Sequence, residues 1–142
     1  MAGVQNEDGK FRIYFQDKDY QICEMSLNDP QSTSHTILKL TTADMPAARI
    51  NTPIAAVSWD NLRQIRVYYI TVNSQVQEMT YTQGVGWRRD ARLGIAVDNS
   101  TSLYAQHQLK EPFMRVGFQS SVAPQTITEA CYYQSGWKTR VL

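Results

Sequence analysis

Cysteine and histidine are both scarce in this chain, and each scarcity closes off a chemistry. Cys23 and Cys131 are the only cysteines and lie far apart, so neither a disulfide framework nor a four-ligand zinc site is expected. His35 and His107 are the only histidines, and neither has a partner at ligand spacing, so no metal and no cofactor are expected. An excess of positive charge is also missing. Lys plus Arg number 14 against 13 Asp plus Glu, whereas phosphate binding normally draws on a large basic surplus, so nucleic acid is not an expected partner. No apolar run approaches the roughly 18 residues of a membrane span, and the stretch Met1 to Asp8 has no basic segment leading into an apolar one. The expected location is therefore cytoplasmic, or outside the cell by release without a standard signal peptide. The sequon Asn99-Ser100-Thr101 matters only in that second case. Nucleophile motifs and glycine-rich phosphate loops are missing as well, so no catalytic residue is assigned.

What the chain does have is strand signal. Its 142 residues make one domain's worth of protein. Phe11–Phe15, Ile54–Trp59, Ile65–Tyr69 and Met114–Phe118 are short, rich in β-branched or aromatic residues, and separated by polar or glycine-bearing turns. The one helical window, Ala43 to Ile50, is undercut by Pro46 and by Pro53 just beyond it. The expected class is all-β.

These strands recur. An arginine near the start of a strand appears at Arg12, Arg66 and Arg115, at offsets of 54 and 49 residues. A glutamate follows each, at Glu24, Glu78 and Glu129, after 12, 12 and 14 residues. The last two glutamates are followed by an aromatic and a Gly-Trp pair: Tyr81 with Gly86-Trp87, and Tyr132 with Gly136-Trp137. Recurrence near 50 residues with several short strands per copy is the signature of β-propeller blades. The repeats run approximately 1–50, 51–98 and 99–142. The first copy is irregular: it has no tryptophan before Trp59, and no strand is evident ahead of Phe11. Closed propellers need about four to eight blades, so three blades predict a homodimer that completes a six-bladed ring, or else a fragment of a longer protein.

Arginine, glutamate and tryptophan together suit one kind of ligand. Arginine presents a planar fork of donors to adjacent hydroxyl oxygens, and an ionised carboxylate accepts hydroxyl protons. An aromatic face packs on the C–H side of a sugar ring. A single Arg–Glu pair on neighbouring strands is also what an ordinary cross-strand ion pair looks like; threefold recurrence in register favours ligand recognition.

The stretch Ile54–Trp59, Ile65-Arg-Val-Tyr-Tyr69, Gln77-Glu78, Tyr81 and Gly86-Trp87 resembles a blade of the fungal fucose-specific lectins of the Aleuria aurantia type. It is also similar to the two-blade bacterial fucose lectins that trimerise. The resemblance spans the chain as three successive blades. It implies a carbohydrate-binding protein for fucose or fucosylated glycans, multivalent through oligomerisation. In that family Arg and Glu come from one blade and the aromatic platform from the next. Arg12 and Glu24 would therefore pair with Tyr81 and Trp87, and Arg66 and Glu78 with Tyr132 and Trp137. Arg115 and Glu129 would look to the first blade of a partner copy, which offers Leu27 and no tryptophan. Two competent pockets and one degraded pocket per chain are expected.

The alternative function is a lectin-derived biosynthetic enzyme, a cofactor-free cyclase or pericyclase such as a hetero-Diels-Alderase, or an apolar small-molecule binder. A structural module that has lost its ligand is a third. Glycosidase chemistry is disfavoured because each glutamate is matched with an arginine, which depresses a carboxyl pKa. Of the remaining residues, Trp59 is expected in the core, His35 and His107 on the surface, and Cys131 as a small buried thiol. Arg88, Arg89 and Arg92 are expected in a solvated turn, and Trp87 and Trp137 as pocket walls or as hydrophobes that lock the blades.

Overall fold

A computed structural model describes residues 1–108 and 113–142. These form three four-stranded antiparallel sheets, each a meander. Blade one comprises β1 (Ala2–Gln5), β2 (Phe11–Gln16), β3 (Ile22–Leu27) and β4 (Thr36–Lys39). Blade two comprises β5 (Ile54–Trp59), β6 (Gln64–Ile70), β7 (Gln75–Thr82) and β8 (Gly86–Ile95). Blade three comprises β9 (Leu103–Gln108), β10 (Phe113–Phe118), β11 (Thr128–Tyr133) and β12 (Gly136–Val141). The first strand of blade two lies beside the first strands of both other blades, which sets the sheets side by side, face against face, as in a propeller.

Two of the sequence expectations need correction here. A strand does precede Phe11: β1 pairs with β2 through Ala2–Tyr14 and Val4–Arg12. Arg88, Arg89 and Arg92 are exposed as expected, but they lie within β8 and not in a turn. The 43–50 window contains turns and an isolated bridge from Ala48 to Thr71, with no helix. That bridge and its counterpart, Ala96 to Ser120, tie each inter-blade connection to a hairpin of the blade that follows.

Alternation along the central strands explains how one sheet serves two interfaces. On β6, Ile65, Val67 and Tyr69 join the core shared with blade one, which includes Tyr14, Leu40 and Leu62. Tyr68 and Ile70 join the core shared with blade three, with Met114, Val116 and Phe118. Every β6 residue from Val67 to Ile70 is fully buried, because both faces of the middle blade are covered. The β5–β6 turn places Asp60, Asn61 and Leu62 at positive φ (51°, 56° and 64°). Asp and Asn tolerate this conformation; Leu62 is held in it by burial of its side chain between blades one and two.

Candidate functional site

The registers put each arginine and its glutamate on one face of one sheet, two residues out of step. Arg12 is opposite Ser26 while Glu24 is opposite Tyr14. Arg66 is opposite Thr80 while Glu78 is opposite Tyr68. The next blade supplies the aromatic pair, Tyr81 opposite Trp87 and Tyr132 opposite Trp137, each with ring centroids 5.5 Å apart. Gly86, at φ 92°, turns the hairpin that presents Trp87, a conformation that favours glycine.

Two inter-blade pockets result. The first, about 580 Å³, gathers Arg12, Glu24, Tyr81 and Trp87, with Ser26, Leu38 and Met45 around them. The second, about 340 Å³, gathers Arg66, Glu78, Tyr132 and Trp137, with Trp59, Asp90, His107 and Met114. Each set of four residues expected to act together is therefore found together.

A tyrosine two residues beyond each arginine organises these groups. Tyr14 donates to Glu24 Oε2 at 2.8 Å, and Tyr68 donates to Glu78 Oε2 at 2.7 Å. Burial, followed by the adjacent carboxylate, raises both phenol pKa values well above the ordinary range, so both hydroxyls stay protonated donors. The same rings take the tryptophans edge-on: Tyr14 to Trp87 at 5.9 Å and 76°, Tyr68 to Trp137 at 6.2 Å and 84°. One side chain thus fixes the acceptor and the platform of a pocket. The recurrent Arg-x-Tyr, at residues 12–14 and 66–68, was the available sequence signal for it.

Among the described residues neither Arg12 nor Arg66 is ion-paired with its glutamate. Arg66 instead donates from Nη1 to Ile65 O at 2.9 Å and Tyr81 O at 3.1 Å, and from Nη2 to Gln64 Oε1 at 3.2 Å. Its guanidinium lies 4.7 Å over Trp59, and Trp59 stacks on His107 at 4.3 Å and 8°. Trp59 and His107 are thus half-buried pocket residues, where a core and a surface position were expected. Their contact joins different blades, so local sequence carries no sign of it. Burial and the nearby Arg66 charge lower the His107 pKa, so the imidazole is neutral near pH 7. Cys131, expected buried, is half-buried; Cys23 is the buried thiol.

Glu78 also departs from expectation. Burial outweighs Arg66, and Asp90 adds a like charge, so the carboxyl is pushed up to about 7. A group whose folded-state pKa lies above its unfolded value contributes stability below the unfolded value, and that contribution is lost as pH rises toward about 7. Wild type should therefore lose about 2 kcal/mol relative to Glu78→Gln between pH 5 and pH 8. Denaturant unfolding of both proteins at the two pH values checks this, and parallel stabilities would exclude it.

Blade three differs. Gly117 stands where Tyr14 and Tyr68 stand in the other blades, and Tyr104 on β9 lies directly opposite it. A Cβ on Gly117 would sit 2.0 Å from Tyr104 Cε1. In the other blades the residue opposite the tyrosine is small, Ala2 or Ala55. The large and small residues have exchanged strands, and the phenol still reaches the glutamate: Tyr104 donates to Glu129 Oε1 at 2.6 Å. Glu129 is also bound at Oε2 by Arg140 Nη2 at 2.8 Å and Nε at 3.1 Å, and Arg115 lies 3.7 Å away. Hydrogen bonds from Tyr104 and then Arg140 hold its carboxyl below the usual range despite burial. Arg115 lies 5.3 Å over the Phe113 ring. The first blade's counterpart to the aromatic pair is Leu27 and, continuing the register of Ser26 with Thr36, His35, which is exposed. Gly117→Ala should destabilise the fold by about 1–3 kcal/mol through overpacking. Adding Tyr104→Ala should recover part of that loss in a double-mutant cycle, whereas simple additivity would contradict the swap.

The model of the family described as fungal fucose-specific lectin matches residues 1–141. The chain belongs to that family. A fucose-specific lectin of Aspergillus oryzae is 28% identical over 135 residues, which are 94% of this chain and 42% of that protein. This chain thus spans less than half the length of that family relative. Among solved structures, AofleA from Arthrobotrys oligospora superposes with a TM-score of 0.80 at 21% identity, covering 99% of this chain and 40% of that one. The lectin of Aleuria aurantia, described as a six-bladed β-propeller, gives 0.72 at 24% identity, covering 98% of this chain and 47% of that one. The all-β, propeller-blade architecture expected from the repeats is therefore the architecture of this chain.

Proposed function

We propose that this chain is a lectin that binds fucose, free or on a glycan, in the pockets between blades one and two and between blades two and three. Arg12 or Arg66 donates to adjacent ring hydroxyl oxygens, and Glu24 or Glu78 accepts hydroxyl protons. The Tyr81–Trp87 or Tyr132–Trp137 pair packs on the C–H face of the sugar. The observation that carries this reading is the unpaired arginine and glutamate on one sheet facing an aromatic pair from the next, built twice. Family membership agrees with it, as does the solved complex of a structurally similar protein, the SapL1 lectin, with α-methyl fucoside.

A second copy of the chain closes the ring. Phe11, Ile13 and Phe15, with Met25, Leu27 and Ile37, share the blade-one face turned away from blade two, and Ile37 is 54% exposed there. Blade three turns Tyr104, Arg115, Glu129 and Cys131 outward in the same sense. Two such seams join two chains around a two-fold axis, and four pockets on one ring then raise avidity for glycans that span them. A glycan array tests the ligand class: selective retention of fucosylated glycans is the expected result, and equal indifference to all glycans by folded protein overturns it.

A further inference from the structure

The three glutamates occupy the same place in three sheets, but the fourth strand sets a different residue beside each. Opposite Glu24 it is Leu38, and opposite Glu129 it is Arg140. In blade two a register shift between Gln77 and Met79 delivers Asp90. Gln77 pins that bulge: its fully buried amide donates to Glu78 O at 2.8 Å, Asp90 O at 3.0 Å and Ala91 O at 3.2 Å. Asp90 lines the second pocket together with Glu78. Among the described residues no ion pair neutralises its carboxylate.

The effect on charge follows this series. Glu129, beside Arg140, is held low, whereas Glu78 is pushed up by burial and by Asp90. The other groups facing Glu78 are Arg66 and Tyr68 from β6, His107 from β9 and Tyr132 from β11, with Arg88 across from Thr80 on the same face. His107 is neutral and Arg66 is engaged by Ile65, Tyr81 and Gln64. Asp90 is therefore an exposed negative charge at the mouth of the pocket with no ion-pair partner among the described residues, Arg88 on the same face included, and it repels a like charge held beside the buried Glu78 more than it would in open water.

We propose that Asp90 determines what the second pocket accepts: with Glu78 it forms a wall of two carboxylates that takes a neutral polyhydroxylated ring and rejects the same ring carrying an anionic substituent. Leu38, at the corresponding place in the first pocket, imposes no such bar. The inference rests on the lectin reading, and the test separates the two. Arg12→Ala leaves the second pocket as the intact site, and Arg66→Ala leaves the first. α-Methyl fucoside and a fucoside sulfated at a ring hydroxyl are titrated into each protein by calorimetry at pH 8. In Arg12→Ala the sulfated ligand should bind at least tenfold more weakly than the neutral one, and in Arg66→Ala the gap should stay under about threefold. Asp90→Asn, or Asp90→Leu as in blade one, added to Arg12→Ala should close most of the gap. Equal gaps in the two pockets, or a gap unchanged by both Asp90 variants while methyl fucoside still binds, would overturn the role of Asp90 and leave the lectin reading standing. Wild-type protein that binds no fucoside overturns both.

Discussion

Arg66→Ala is expected to weaken fucose binding at the second pocket by at least about a hundredfold and to halve the number of sites titrated per chain. Two charge-assisted hydrogen bonds to hydroxyls, at about 1.5–3 kcal/mol each, suffice for that loss. The magnitude depends on how well the guanidinium is set before the ligand arrives. Contacts to Ile65 O, Tyr81 O and Gln64 Oε1 and the Trp59 face beneath it hold it in place. Among the described residues nothing takes Nε–H or the second Nη2 proton, which leaves them for the sugar. Calorimetric stoichiometry reads the outcome: one site per chain in the variant against two in wild type. Unchanged stoichiometry and affinity would remove Arg66 from the site.

Ile13→Arg should divide the assembly into single chains. Ile13 lies opposite Met25 on the apolar face that the second copy covers, and the blade-three face it meets there carries Arg115, Lys138 and Arg140 against Glu129 alone, so a cation in that seam finds no free counter-charge among the described residues. Burying an unpaired charge costs several kcal/mol, at two seams per ring. Light scattering should report half the wild-type mass. Binding of a monosaccharide in the two internal pockets should persist, because Ile13 points away from both, while agglutination of fucosylated cells should disappear with multivalency. A wild-type protein that is already a single chain would contradict the seam.

The repeat was legible because its parts obey local rules: period-two strands, a fixed Arg-to-Glu spacing, and Gly-Trp after the hairpin. These fix the faces, and the faces fix the two pockets. What escaped depends on partners across strands or blades. The strand Ala2–Gln5 has little β character of its own, and its small residues are there for its neighbours. A Cβ on Gly3 would meet the Phe11 ring at 2.7 Å, and Ala2 faces Tyr14. The role of Tyr104 requires the register of β9 on β10, and that of Asp90 requires a bulge held by Gln77. The expectation that arginine depresses every glutamate failed at Glu78, where the guanidinium is spent on backbone carbonyls and burial dominates.

Titration of L-fucose into the wild-type chain, with the mass of the assembly measured in the same buffer, tests the central claim most directly. The prediction is two sugars per chain on a particle of two chains, with Arg12→Ala and Arg66→Ala each removing one sugar. Folded protein that gives no fucose-dependent heat, or binding that survives both arginine substitutions together, would contradict it.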